Sequence, residues 1–216
     1  MIGLSISFGL PLGFSLRKAQ IETPPVKGHM QPFTLADENG YAFSDKRLGG
    51  AVALFHFIDT ECIEECQGAF DTLRRLSKAL KGAGPTTWLV SLTVHPETDT
   101  SQRLLGYRRV NSRSFMYWHL LTGTREDVNA FILDNMKLAT MDPRLKDLTP
   151  QTFDRLAKEG WMVLIDQAGQ IRSVHRPDTD AEMNTLVKDI AVVINTNPPS
   201  PAASADKPAA PVEPTK

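Results

Sequence analysis

One unbroken apolar run, AVALFHFI at residues 51–58, constrains the fold of this chain more than any other feature. A run with β-branched and aromatic members suits a strand that is buried on both faces, as in a parallel or mixed sheet. Cys62 and Cys66, the two cysteines of the chain, follow shortly after it. The apolar residues then take the spacing of an amphipathic helix, at Phe70, Leu73, Leu76 and Leu80. The sequence therefore predicts a buried strand, then the cysteines, then a helix.

Strand and helix patterns alternate along the rest of the chain. Asn39-Gly40 and Ala168-Gly169 lie between apolar–polar alternations and predict two hairpins. Further strands are predicted in residues 86–94 and at the start of 118–131, and helices in 101–110, at the end of 118–131 and in 181–194. Interleaved strands and helices with two hairpins give an α/β fold class, with a central mixed sheet flanked by helices.

The two ends of the chain differ in composition from its middle. Residues 1–18 begin with sixteen uncharged, mostly apolar positions and end with Arg17 and Lys18. They are short for a spanning helix and lack a basic start and an A-x-A cleavage site, so an export signal, a membrane anchor and a loosely ordered arm stay open. Residues 197–216 are rich in Pro and Ala and predict a disordered tail. One domain is then expected at residues 30–196, outside the cytoplasm if the first segment exports or anchors it.

Charge and cysteine content exclude several classes of function. The net charge is -1 and no long basic block is present, which argues against nucleic acid as a partner. Two cysteines are too few for a disulfide framework, and a structural zinc site usually needs four Cys or His ligands.

The cysteine pair is the strongest candidate site. A helix start that follows a buried strand stabilises thiolates, through the helix dipole and its free N–H groups. Cysteines four apart in a first helical turn face the same way, so they can form a disulfide or jointly hold a soft ion such as Cu(I). The alternative is two buried cysteines that only fill the core. The polar residues around the pair argue against burial: Asp59, Glu61, Glu64 and Glu65.

Five short segments follow one another in the order of a known family. They are PFTLADENGYAF, TECIEEC with its C-x-x-x-C spacing, LTVHPETDT, LLTGTREDV and MVLIDQAGQI. In these segments residues 31 to about 195 resemble the Sco/SenC copper chaperones of the thioredoxin-like superfamily. The resemblance implies a thioredoxin-like fold with an N-terminal hairpin, and copper bound by Cys62 and Cys66. It further implies anchoring on the periplasmic side of a membrane and assembly of the copper centre of cytochrome c oxidase, whose copper-bearing subunit is the expected partner.

Two departures from the family pattern bear on the site. Ile63 stands where the family usually has Pro, a modest loss of rigidity at the helix start. The family's third copper ligand is a His shortly before the last hairpin, and that place falls near Lys158, in a stretch without His from 120 to 174. His95 replaces the Asp of the family's D-P segment, at the end of the neighbouring strand. Because functional residues gather at such strand ends, His95 is a candidate metal ligand, with a polar residue bonded to backbone as the alternative.

The other histidines predict structural positions. His56 lies within a buried strand and is expected to be a core residue whose ring nitrogens find partners. His29, His119 and His175 lie near strand ends or loops and are expected at the surface.

Three functions are open at this point. The first is a copper chaperone, which the family resemblance favours. The second is an extracytoplasmic thiol–disulfide oxidoreductase, an enzyme in which the pair cycles without metal. The missing His favours the second, whereas Glu61, Glu64 and Glu65 would oppose a thiolate and help to balance a bound cation. A relative that only binds other proteins is the third, and the intact cysteine pair speaks against it.

Overall fold

The computed structural model describes residues 22–80, 87–111 and 117–196. In these residues a mixed sheet is flanked by helices, which confirms the predicted fold class. The predictions for residues 1–18 and 197–216 lie outside the described residues, and the domain limits at 30 and 196 stay a prediction.

The strands of the described residues form one sheet. Their bounds are β1 Gly28–His29, β2 Thr34–Asp37, β3 Ala42–Ser44, β4 Val52–Ile58, β5 Thr87–Thr93, β6 Trp118–Thr122, β7 Met162–Ile165 and β8 Gln170–His175. They lie in the order β1-β8-β7-β4-β5-β6-β2-β3. The β4–β5 and β5–β6 pairs are parallel and the other neighbouring pairs are antiparallel.

Helices of very different length connect the strands. Their bounds are α1 Asp45–Leu48, α2 Gln67–Ala79, α3 Ser101–Asn111, α4 Arg125–Ala130, α5 Leu138–Met141, α6 Asp154–Lys158 and α7 Asp180–Thr196, with a π-helix at Phe131–Asn135 and 3₁₀ turns at Pro143–Leu145 and Pro150–Thr152. The predicted helices correspond to α2, α3, α4 and α7. The short ones escape prediction, because a single turn gives no apolar periodicity to read. No helix in the described part of the chain is both long and apolar enough to cross a membrane.

The apolar run at 51–58 forms β4, the strand that positions the cysteines. All of its residues are buried, between parallel β5 and antiparallel β7. Phe55 and Phe57 pack into the larger apolar core, and Leu54, on the opposite face, packs with side chains of α2 and α7. Both faces are covered by apolar side chains, so the strand needs no polar alternation, as predicted.

Both predicted hairpins are present. β2 and β3 pair through a turn with Gly40 at φ +80°, and β7 and β8 pair through a turn with Gly169 at φ +74°. Glycine adopts such positive φ angles without the steric penalty of a Cβ atom. β2 also pairs with β6, so the N-terminal hairpin extends one edge of the sheet.

The carboxyl ends of β4 and β5 lie side by side, with Ile58 opposite Thr93 in the parallel register. Residues 59–66, which we call the cysteine loop, leave β4 at this edge and lead to α2, which begins at Gln67. The fold therefore brings the cysteine loop and the segment after β5 to the same edge of the sheet.

Candidate functional site

A disulfide bond joins Cys62 and Cys66, with their Cα atoms 5.5 Å apart. Cys66 is the N-cap residue of α2, and Cys62 lies in the cysteine loop before it. The expectation that both cysteines share the first helical turn was therefore wrong. The reason is local: the Cys62 N–H donates to the Asp59 carbonyl oxygen (3.2 Å), so a turn forms at the start of the loop and the helix begins only after Cys66.

Solvent reaches the disulfide. Both cysteines are half-buried, and Ile63 between them is 77% exposed. Cys66 also packs against the edge of the larger core. An accessible disulfide can exchange with an attacking thiolate, whereas one sealed in the core cannot. This position speaks against the alternative in which two cysteines only fill space.

A cavity of about 230 Å³ lies beside the disulfide. Its walls are largely apolar and come from the end of β4 and from α2, α3 and α6, including Phe57, Ile58, Ala69, Phe70, Tyr107 and Ala157. His56 of β4 also lines it, and burial lowers the pKa of this imidazole to about 4, so the ring is neutral at pH 7. The cysteine pair thus has an apolar flank on one side and the polar loop on the other.

Asp99 anchors the start of the cysteine loop. Its side chain is fully buried and accepts hydrogen bonds from the Thr60 N–H (3.2 Å), the Thr60 hydroxyl and the Thr93 hydroxyl (2.7 Å). The carboxylate therefore ties the start of the loop to the end of β5. Sequence reasoning assigns Asp99 no role, although a polar T-D-T segment a few residues after a buried strand was the available signal.

Two of the glutamates around the cysteines are bonded to cations. Glu61 lies 3.2 Å from a guanidinium nitrogen of Arg103 in α3, and Glu65 lies 2.6 Å from the Lys158 ammonium at the end of α6. The expectation that these carboxylates would oppose a thiolate is weakened, because an adjacent positive charge offsets each of them. Charge alone therefore does not decide between metal binding and thiol–disulfide exchange.

His95 lies at the same edge of the sheet as the cysteine loop. Its Nε2 atom is 3.7 Å from a carboxylate oxygen of Asp59, and its side chain is 42% exposed. Its backbone N–H donates to the Thr93 hydroxyl oxygen (2.9 Å), as expected of a strand-end residue. Contact with Asp59 places the imidazole at the start of the loop, but His95 is not among the residues that line the cavity with the two cysteines. Its role as a metal ligand stays a prediction.

The family resemblance expects a third ligand near Lys158, and this residue contacts the cysteine loop through Glu65. Besides Glu65, its ammonium contacts the Asp154 carboxylate at 3.0 Å. Hydrogen bonds to Glu65 and then to Asp154 raise the pKa of the Lys158 ammonium above its usual range. The side chain is therefore a cation at any physiological pH and cannot serve as a nitrogen ligand.

Of the remaining histidines, His56 and His29 lie where the sequence placed them. His56 is buried in β4 with Nδ1 3.3 Å from the Ser91 hydroxyl oxygen, and His29 is exposed. The expectation that the ring nitrogens of His56 find partners is confirmed for Nδ1 and wrong for Nε2, which has no hydrogen-bond partner among the described residues.

The surface positions predicted for His119 and His175 were wrong. The His119 side chain is buried, and its ring packs on Trp88 with the ring centroids 4.9 Å apart. His175 Nε2 lies 2.8 Å from the Ser173 hydroxyl oxygen and 3.1 Å from an Asp189 carboxylate oxygen, under α7. Neighbouring elements cover both strand ends, which the local sequence does not reveal.

The two sulfurs could serve as metal ligands only after the disulfide is reduced. Within residues 22–80, 87–111 and 117–196, no group of three or more His, Cys, Asp or Glu side chains is arranged to hold a metal ion. Reduction of the disulfide would release two thiols at the N-terminus of α2, and thiolates are the soft ligands that Cu(I) prefers. The residues present thus fit copper with two sulfur ligands.

The SCO1/SenC family model matches residues 22–195, which span the cysteine loop and nearly all of the described elements. The chain belongs to the SCO1/SenC family. A SCO1 protein homolog of Bacillus subtilis (strain 168) is 29% identical over 124 residues, 57% of this chain. The match spans 64% of the length of that relative.

Solved structures of Sco proteins share the fold. BsSco, described as a member of the Sco family of cytochrome c oxidase assembly proteins with a disulfide switch, matches with a TM-score of 0.63 and 22% identity, over 82% of this chain and 99% of its own. Yeast Sco1 with copper bound matches with a TM-score of 0.55 and 22% identity, over 81% of this chain and 96% of its own. The predicted thioredoxin-like fold is confirmed.

Proposed function

We propose that this protein is a copper chaperone whose reduced Cys62–Cys66 pair binds copper and which assists assembly of the copper centre of cytochrome c oxidase. The observation that carries the proposal is an accessible cysteine pair at the N-terminus of α2 in a member of the SCO1/SenC family. A copper-bound structure of yeast Sco1, a protein of the same fold, supports copper as the cargo.

The proposed chemistry is reduction of the disulfide followed by binding of copper. Two electrons and two protons convert the disulfide into two thiols, and loss of both protons lets the two sulfurs hold Cu(I) as cargo. The dipole and free N–H groups of α2 favour the thiolate at Cys66, its N-cap residue. His95 is the proposed additional ligand or gate, because it lies at the same edge of the sheet as the loop.

A second candidate is a thiol–disulfide oxidoreductase in which the same pair cycles without a stable metal. Two observations favour it: the stretch from 120 to 174, where the family resemblance expects a third ligand, has no His, and cations offset two of the nearby glutamates. In this reaction a thiolate of another protein attacks one sulfur, forms a mixed disulfide and releases the other sulfur as a thiolate.

Copper titration of the reduced protein separates the two candidates. Under anaerobic conditions we expect one Cu(I) per chain, held against a Cu(I) chelator, and loss of tight binding in Cys62→Ser and Cys66→Ser. One thiolate alone cannot retain the ion against competing thiols. The oxidoreductase would be favoured by two results together. The wild type would release copper to the chelator as readily as either serine variant, and its disulfide would still exchange with glutathione.

The location and partner follow from this proposal. We infer that the protein works on the periplasmic side of a membrane, exported or anchored through residues 1–18, with the copper-bearing subunit of the oxidase or another copper or thiol protein as partner. Membrane fractionation of the full chain, with and without residues 1–18, tests the location. Copper transfer to the isolated copper-bearing domain of the oxidase subunit tests the partner.

A further inference from the structure

Each cysteine is directly preceded by a glutamate, and a different helix supplies a cation to each. Arg103 of α3 contacts Glu61, which precedes Cys62. Lys158 of α6 contacts Glu65, which precedes Cys66. The two ends of the C-x-x-x-C segment are thus tied to two separate elements of the fold.

The attachment through Arg103 has several bonds. One guanidinium nitrogen lies 3.2 Å from the Glu61 carboxylate, and Nε donates to the Thr60 hydroxyl oxygen at 2.7 Å. Nε is also 3.8 Å from the buried Asp99 carboxylate, which itself holds Thr60. Arg103 therefore links the loop segment before Cys62 both to α3 and to the anchored end of β5.

The attachment through Lys158 lies on the other side of the loop. Its ammonium bridges Glu65 at 2.6 Å and Asp154, one turn back on α6, at 3.0 Å. The second carboxylate fixes the position of the ammonium, so the lysine holds Glu65 against α6 rather than moving with it. Glu65, the residue before Cys66, is thereby tied to α6.

We propose that Arg103 and Lys158 form a two-point clamp that positions Cys62 and Cys66 for disulfide formation. Two thiols joined by a flexible loop meet less often than two thiols held in place, so fixing both ends of the segment raises their effective concentration. The clamp therefore stabilises the disulfide relative to the dithiol. Loss of either cation makes the disulfide easier to reduce, by loosening the loop of the reduced protein.

The inference deepens the proposed function, because it concerns the redox step that prepares the pair for copper. Its measurement needs no copper and no partner protein. Failure of copper binding would overturn the copper-chaperone role and leave the clamp intact, whereas an unchanged thiol–disulfide equilibrium would overturn the clamp alone.

The experiment is equilibration of the full chain with glutathione buffers, followed by trapping and mass spectrometry of Cys62 and Cys66. Two glutathione thiols become one glutathione disulfide for each protein disulfide reduced. We expect Arg103→Gln and Lys158→Gln each to shift the equilibrium constant towards the dithiol by about two- to fivefold, the range of exposed ion pairs. Arg75→Gln, which breaks an exposed pair between α2 and α7, is the matched control and should leave the constant unchanged.

A charge exchange tests whether the contact matters or only the charge. Lys158→Glu alone should shift the constant at least as far as Lys158→Gln, and adding Glu65→Lys should restore it, because the exchanged pair reforms the contact. High salt should diminish the difference between wild type and Lys158→Gln. The clamp is overturned if both single glutamine variants match the wild type, or if the charge exchange fails to restore the constant.

Discussion

Removal of the Asp99 carboxylate is the most informative single perturbation of the fold near the site. Its side chain is fully buried and accepts hydrogen bonds from the backbone and hydroxyl of Thr60 and from the hydroxyl of Thr93. In Asp99→Ala these three donors lose their acceptor. Thr93 is itself buried and cannot turn to water, whereas Thr60 is partly exposed and can.

The size of the effect follows from these three bonds. A buried donor without a partner costs about 1–3 kcal/mol, and hydrogen bonds to a charged acceptor contribute about 1.5–3 kcal/mol each. Because the Thr60 groups recover part of the loss from water, we expect the free energy of unfolding to fall by about 3–5 kcal/mol. For a domain of this size that corresponds to a melting temperature lower by about 10 °C.

Urea unfolding at pH 7 with the disulfide intact measures this change. Asp99→Asn should lose less of the free energy of unfolding, because the amide oxygen still accepts a hydrogen bond. Some loss remains, because the amide N–H groups cannot accept from the hydroxyl donors that they face. Asp71→Ala, which removes one partner of an exposed pair on α2, is the control and should change stability by about 0.5 kcal/mol or less.

A double-mutant cycle isolates the bond between Asp99 and Thr93. Thr93→Val removes the donor, so the double variant should be more stable than the sum of the single losses predicts, by about 1–2 kcal/mol. An Asp99→Ala variant within about 1 kcal/mol of the wild type, or additive losses in the cycle, would refute the anchoring role.

Three further predictions concern the site and its surroundings. Lys158→His puts an imidazole beside the residue preceding Cys66, so the reduced variant should bind Cu(I) about tenfold more tightly than wild type in chelator competition, and equal affinity would contradict this placement. Burial lowers the pKa of His56 to about 4 in the folded protein, against 6.5 in the unfolded chain. The contribution of the neutral imidazole to the free energy of unfolding is therefore complete above pH 6.5 and is lost as the pH falls towards 4. Wild-type unfolding free energy should therefore fall by about 3 kcal/mol more than that of His56→Gln over this range, and parallel curves in urea titrations would count against it. His95→Ala should weaken copper retention while leaving the melting temperature within a few degrees, and an all-sulfur first shell in X-ray absorption of the wild type, with equal retention, would remove His95 from the site.

Local patterns explain why the elements around the site were predictable. Apart from His56, the run at 51–58 is apolar, which predicts a strand in the middle of a covered sheet, and β4 lies there. The turns at Gly40 and Gly169 need backbone angles that glycine adopts readily. In each case the information lies within a few residues of the element itself.

Burial at strand ends shows where local reasoning fails. His119 and His175 occupy strand ends, where exposure is a fair expectation, yet Trp88 covers one ring and α7 covers the other. Which neighbour covers a strand end depends on the order of strands in the sheet and on the path of distant helices. No pattern of polar and apolar residues near either histidine carries that information.

The sequence by itself determined that two cysteines follow a buried strand and precede a helix, because apolar periodicity and chain order are properties of one continuous segment. The tertiary structure alone decided which groups surround them. Asp99 reaches Thr60 across 39 positions and Arg103 reaches it across 43, and Lys158 comes to Glu65 from a still more distant helix. The contacts of Asp99 and Arg103 form because the parallel pairing of β4 with β5 brings both strand ends to one edge of the sheet. The contact of Lys158 forms because α6 packs on β4 and α2, next to the cysteine loop. The charge of a residue next to a cysteine in sequence therefore does not give the electrostatic potential at the sulfur, because a cation from a distant helix can offset it.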